Sequence, residues 1–301
     1  MDTFKIKKIL VPTDYSETAG NALSQAIYMA KLNKATIKLI HVVIPIYITT
    51  PNSSISMTDT LYVTMVNEAS AELKKAAAKI EETNGIGVAY EVKVGNISDE
   101  ICDMAEKEKF DIIIMGTHGT SGVKEFFAGS NAYKVVNHAE CPVLTVQNKT
   151  TKQGFKNIIL PIRLELTSRQ KVDYAIEIAR LFDATIFITG YTDDTNESQQ
   201  FKVKQYVEQV EKYLTKLNVK HQSTSLFADN FTKEILDYAK KNDADLIVVM
   251  KKHDFSLTQL VKGVYSEQFV NHSSIPILSI PVFTNPDMMT HGTYLVGDLP
   301  F

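Results

Sequence analysis

The sequence predicts an α/β protein of two tandem, doubly wound domains, each built on a five-stranded parallel sheet. Three observations carry this expectation. The 301 residues suit two domains at the usual ~100–200 residues each. The chain also repeats itself. IKKILVPTDYSETAGNAL returns as KNIILPIRLELTSRQKV, and the segments opening DIIIMGTHG and DLIVVMKKH align without a gap, setting Asn137-His138 on Asn271-His272 and Pro142 on Pro276. Finally, short β-rich runs alternate with helical patterns in each copy, the order that winds a parallel sheet with helices on both faces.

Each element has its own signal. Strands are expected at 8–12, 36–43, 88–94, 112–115 and 143–146, as apolar runs such as IIIM and VLTV that suit strands covered on both faces. Helices are expected at 17–32, 59–83, 98–107 and 131–137. In the first, Ala22, Ala26, Met29 and Ala30 follow helical spacing. Ser98, with Glu100 and Ile101 behind it, reads as a helix start. The second copy repeats the order from Ile158 to Ile280. The stretch 44–57, with Pro45 and Pro51, reads as a long polar connection, 150–156 as a linker and 283–301 as an irregular tail. The expected domains are therefore 1–150 and 151–285, with 286–301 as the tail. Val143–Val146 and Ile277–Ile280 end their sheets. Pairing one with the other would close two exposed edges and make an internal pseudo-dimer.

Composition excludes several classes. Hydrophobic residues at 44% and charged residues at 22% fit a globular chain rather than a disordered one. No apolar run reaches the ~18 residues of a membrane span, and the N-terminus lacks a secretory pattern. A net charge of −3 and a pI near 6.2 argue against broad nucleic-acid binding. The two cysteines, Cys102 and Cys141, fall in core-like positions and rule out a disulfide framework. The seven histidines show no metal-ligand spacing, so no structural metal is expected. A cytoplasmic setting fits these features.

The chemistry concentrates in Gly116-Thr-His-Gly119, then nine residues, then Gly129-Ser130, between an apolar strand and a helix. Glycines let backbone N–H groups approach a ligand closely. The following helix start offers unpaired N–H groups and a positive dipole end, and Ser130 can cap that helix or donate to a phosphate oxygen. No Gly-Lys-Ser/Thr follows, so this is not a P-loop. Asp14, at the end of the first strand, could accept from an exocyclic amine or a hydroxyl; it also suits the start of the next helix. His118 suits a phosphate contact and a solvated loop equally. Met115 reads as core first and ligand wall second.

Gly-x2-Gly-x9-Gly-Ser before a Cys-Pro-Val-Leu strand resembles the signature of the universal stress protein family, as do Val11-Pro12-Thr13-Asp14-Tyr15-Ser16 and Leu39-Ile40-His41-Val42-Val43. The resemblance covers residues 1–148 and, through the repeat, 156–282. It implies a tandem member with the adenine nucleotide alpha hydrolase-like fold and an ATP site, with Mg²⁺ able to accompany the phosphates. By position, Pro12, Thr13, Asp14 and Val42 would line the adenine and ribose side. Met115, Gly116, His118, Gly119, Gly129, Ser130 and Asn131 would surround ribose and phosphates. The second half departs from this pattern: Arg163 replaces Asp14, Met250 replaces Gly116, His253 replaces Gly119, and Val264 follows Gly263. It is therefore not expected to hold ATP in the same way; Lys251-Lys252-His253 with Arg163 forms either a different anion site or, more simply, a solvated basic loop.

The resulting expectation is an ATP-binding regulatory protein with an unidentified protein partner, and self-association into a homodimer would be compatible with it. The alternative is a slow ATP hydrolase or adenylate-using enzyme, for which the sequence offers His118 and Lys124 but no evident base.

Overall fold

The computed structural model describes residues 4–45, 47–50, 53–56, 59–117, 129–147, 152–193, 195–251 and 273–282. His118, Gly119, Lys124, Lys252, His253, Gly263, Val264 and the tail 283–301 lie outside the described residues.

In chain order the first half runs β1 (Lys8–Pro12), α1 (Glu17–Asn33), β2 (Thr36–Val43), β3 (Tyr47–Thr50), β4 (Ser53–Ser56), α2 (Asp59–Asn84), β5 (Val88–Val94), α3 (Ile97–Lys107), β6 (Ile112–Gly116), α4 (Ser130–His138) and β7 (Val143–Val146). The second half runs β8 (Asn157–Ile162), a 3₁₀ turn at Leu166–Arg169, α5 (Val172–Phe182), β9 (Thr185–Thr192), α6 (Glu197–Lys216), β10 (His221–Phe227), α7 (Phe231–Lys241), β11 (Leu246–Met250) and β12 (Ile277–Ile280). Within the stretch read as a polar connection, β3 and β4 pair antiparallel, with Tyr47 opposite Ser56.

The two five-stranded sheets fuse into one ten-stranded sheet of order β10-β9-β8-β11-β12-β7-β6-β1-β2-β5. Every pairing in it is parallel except the central one, where β12 meets β7 antiparallel with Leu278 opposite Leu144. The expected closure of two edges is thus the junction of the halves. One face carries a single apolar cluster that crosses this junction, with Ala26 and Met29 of α1, Leu73 of α2, Ile178 of α5 and Val207 of α6. The opposite face carries two clusters, one under α3 and α4 and one under α7. Burying each large aliphatic side chain is worth about 1.5–3 kcal/mol, so the strands' apolar runs need helices on both sides.

Local signals set the element ends. Ser16 caps α1, its side chain accepting from the Ala19 N–H at 3.2 Å, and the helix closes on left-handed Lys34. Asp183 repeats that left-handed closure in the second half. Asp111 accepts the N–H groups of Lys7 and Lys8, and its repeat partner Asp245 accepts those of Lys156 and Asn157. These carboxylates pin the strand entry of each half in the same way.

Candidate nucleotide site

At the C-terminal edge of the first half's sheet, β1 is paired with β2 along its whole length, but with β6 only at Ile9–Ile112 and Leu10–Ile113. The chain leaves β1 toward β2 and β5 on one side, whereas β6 and β7 lie on the other. This is a topological switch point, where open α/β sheets bind ligands. Pro12 and Val42 stand at the strand ends there, both partly exposed. Leu10, Ile40, Val42, Ile113 and Met115 share the α3/α4 face, so Met115 is a buried wall beneath the crevice, as expected.

The turn after β1 is built by its own polar side chains. The Thr13 N–H donates to the Ile40 carbonyl, its Oγ1 accepts from the Tyr15 N–H, and its carbonyl lies 2.8 Å from His41 Nδ1. Asp14 Oδ1 accepts from the Ser16 N–H at 3.1 Å. Its carboxylate therefore shapes the entry to α1, the simpler of the two roles the sequence allowed, while remaining partly exposed at the crevice. Tyr15 is held at φ 64, a region non-glycine residues rarely adopt. Its half-exposed ring packs on His41 at 5.1 Å, and its hydroxyl reaches the Ala69 carbonyl of α2. Tyr15 and His41 were not singled out from sequence. The strained backbone that marks Tyr15 carries no sequence signal beyond its place in the Val-Pro-Thr-Asp-Tyr-Ser stretch.

The other end of the crevice is formed by Thr117, Gly129 and α4. The Gly129 N–H donates to the Thr117 carbonyl at 2.6 Å, bringing together the two ends of segment 118–128. The expected Ser130 cap is corrected. Gly129 occupies the cap position with no side-chain hydrogen bond, and Ser130 is the exposed first helical residue, followed by the partly buried Asn131. The reason is geometric, since Gly129 has the extended ψ of 142° that a cap requires. The first turn of α4 contains no acidic residue. By contrast α1, α3, α6 and α7 are each capped by a Ser or Asn side chain and carry acid in the first turn. Among the described residues, the N–H groups and positive dipole end at the start of α4 therefore meet no side-chain cap and no acid of the helix's own first turn.

Gly116 needs a different explanation from the one its motif suggests. A Cβ there would stand 2.9 Å from the Thr18 carbonyl carbon, so glycine is required by the close approach of α1. That contact lies on the face away from Met115 and α4.

The second half places other chemistry at these positions. Arg163 lies over the Phe231 ring at 5.0 Å and pairs with Glu165 at 3.3 Å. Of the basic segment only Lys251 lies among the described residues. It is buried, not solvated, and its Nζ donates across the junction to the Ala139 carbonyl at 3.1 Å. Burial lowers its pKa. The chain crossing at β7–β12 is what brings this lysine against the end of α4. The two cysteines are unpaired, and burial pushes their thiols up to about 11 for Cys102 and about 12 for Cys141, as core residues.

The residues present fit an anionic ligand with a planar apolar part. Pro12 and Val42 offer apolar walls, Asp14 an acceptor, and α4 bare N–H donors. Among the described residues, no group of His, Cys, Asp and Glu could hold a metal ion, and no helix is long and apolar enough to cross a membrane.

Fold and site together define a doubly wound α/β protein of the nucleotide-binding architecture, present twice in one chain. The universal stress protein family model matches it twice, over residues 5–147 and 154–281. The chain belongs to that family. Universal stress protein MJ0531 of Methanocaldococcus jannaschii is 34% identical over 142 residues, covering 47% of this chain and 82% of that protein. YxiE of Bacillus subtilis is 32% identical over 149 residues, covering 46% and 98%. A universal stress protein structure from Archaeoglobus fulgidus matches the whole architecture with a TM-score of 0.74 at 20% identity, covering 94% of this chain and 98% of that one.

Proposed function

We propose that this protein is an ATP-binding regulator of the stress response that holds its nucleotide in the N-terminal half only. The observation that carries the reading is the uncapped, acid-free start of α4, opening beside the crevice where β1 and β6 part. Pro12, Thr13, Asp14 and Val42 would take the adenine and ribose. Met115, Gly116, Gly129, Ser130 and Asn131 would surround ribose and phosphates, with His118 and Gly119 of the same motif. Mg²⁺ would accompany the phosphates as a counter-ion.

Restriction to one half is supported by the replacements on the other rim. Arg163, engaged with Phe231 and Glu165, stands where Asp14 would be needed, and the sequence has Val264 in place of Ser130. Binding is favoured over turnover because α4's first turn brings no carboxylate to act as a base. Occupancy would act by favouring one conformation or partner contact over another, which requires different affinities for the two states. Partly buried thiols that form no disulfide accord with a cytoplasmic setting.

The test is Gly129→Ala in the full chain. Gly129 has φ −55° and ψ 142°, which alanine adopts without backbone strain. Its methyl group crowds the helix start, and calorimetry should show ATP affinity reduced about tenfold, a loss of ~1.4 kcal/mol. Unchanged affinity would remove the phosphates from α4.

A further inference from the structure

Gln147 follows the last residue of β7 and is 6% exposed. Neither its side-chain oxygen nor its nitrogen has a hydrogen-bond partner among the described residues. Buried polar groups are nearly always paired, and an orphaned carboxamide in a packed rim calls for a specific cause.

Its position supplies one. Along β7, Leu144 and Val146 belong to the cluster under α1, whereas Val143 belongs to the cluster under α3 and α4. Alternation sends Thr145 to the α3/α4 face and, continued one residue past the strand end, Gln147 as well. This is the face of Met115 and of the start of α4. The backbone links are short: the Val146 carbonyl accepts from the Thr117 N–H at 3.0 Å, and the Thr117 carbonyl accepts from the Gly129 N–H at 2.6 Å. Gln147 therefore sits on the rim beside the uncapped helix start.

The strand order fixes which end of a ligand it would meet. Pro12 and Val42 lie on β1 and β2, whereas β7 lies beyond β6 on the other side. At about 4.8 Å per strand, Gln147 is about 10 Å from the end of β1, at the far end of the crevice from the adenine walls. A neutral amide there can donate to an anionic oxygen without adding charge.

We propose that Gln147 is a specificity-determining residue of the nucleotide site, its side-chain amide contacting the terminal phosphates and so favouring ATP and ADP over AMP. The proposal rests on the nucleotide-binding reading above. It differs from a purely structural role because the amide has no partner among the described residues, so removing it should not harm the fold.

The experiment is calorimetric titration of the full chain with ATP, ADP and AMP, for the natural protein, Gln147→Leu and Gln147→Glu, with thermal midpoints measured without ligand. Gln147→Leu should keep or raise the midpoint, weaken ATP about tenfold and leave AMP within twofold. Gln147→Glu should weaken ATP further by repulsion, again sparing AMP. Equal losses for all three nucleotides, unchanged ATP affinity, or a lowered midpoint in Gln147→Leu would overturn the proposal. A natural protein that binds none of the three would instead overturn the nucleotide reading, and this proposal with it.

Discussion

Lys171 opens α5 from a fully buried position, its Nζ donating to the Ser168 carbonyl at 2.7 Å. Burial lowers its pKa from 10.5 to about 7, with nearby Glu165 opposing and Arg163 reinforcing the shift. A cation at a helix start also faces the positive end of the dipole. Between about 7 and 10.5 the unfolded chain binds a proton that the folded chain does not. Stability should therefore rise with pH across that window, and the penalty should be fully present below it. Denaturant midpoints of the natural protein and of Lys171→Met at pH 7 and pH 9.5 check this. The rise should be present in the natural protein and lost in the variant; an equal rise in both would assign it to other groups. Asp173 works in the opposite sense. Burial raises its carboxyl to about 6, despite a hydrogen bond from the Tyr213 hydroxyl, so its contribution falls as pH climbs from about 4 to 6.

At the scale of elements, close approach decides where glycine is needed. In β9, a Cβ at Gly190 would stand 2.7 Å from Val207 and 2.8 Å from Val203, two valines that α6 buries against the sheet. Gly190→Ala should cost about 1–3 kcal/mol through overpacking, read as a shift in urea midpoint; an unchanged midpoint would mean that α6 moves aside freely. The element pattern itself was largely legible in the sequence. The strands at 8–12, 36–43, 88–94 and 143–146 stand where their apolar runs placed them, because a strand buried on both faces leaves a continuous signal. Helices α1 and α2 start at Glu17 and Asp59 as expected, and α3 and α4 one residue earlier than expected. Ser98 is interior to α3, because Asn96 accepts its N–H and takes the cap. The β3–β4 hairpin was not read, since two prolines and several serines suggested an irregular connection. Of the candidate site, the glycine pattern and the strand ends were legible. The contact of Gly116 with Thr18, the burial of Lys251 and the orphaned amide of Gln147 were not. Each depends on what the fold brings alongside the residue, and a lone glutamine after an apolar strand leaves no local pattern.

At the scale of the molecule, the repeat builds one continuous body. The antiparallel β7–β12 pairing joins the sheets, the Thr145 hydroxyl donates to the Ile277 carbonyl across it, and the α1/α2 and α5/α6 layers share one apolar cluster. Aromatic contacts reinforce the join, with Tyr28 stacked on Phe182 and Phe4 packed on Tyr174. The halves keep a common frame, visible in the paired roles of Asp111 and Asp245, but their rims have diverged. One retains a helix start with no side-chain cap and no acid in its first turn. In the other, Arg163 is engaged locally and Lys251 is spent on the junction. If the nucleotide is held by the N-terminal half alone, as proposed, the chain should bind one nucleotide. Titrating ATP into the full chain by calorimetry tests this most directly. A stoichiometry of about one is the expected result; two equivalents, or no binding heat at any temperature tried, would contradict it.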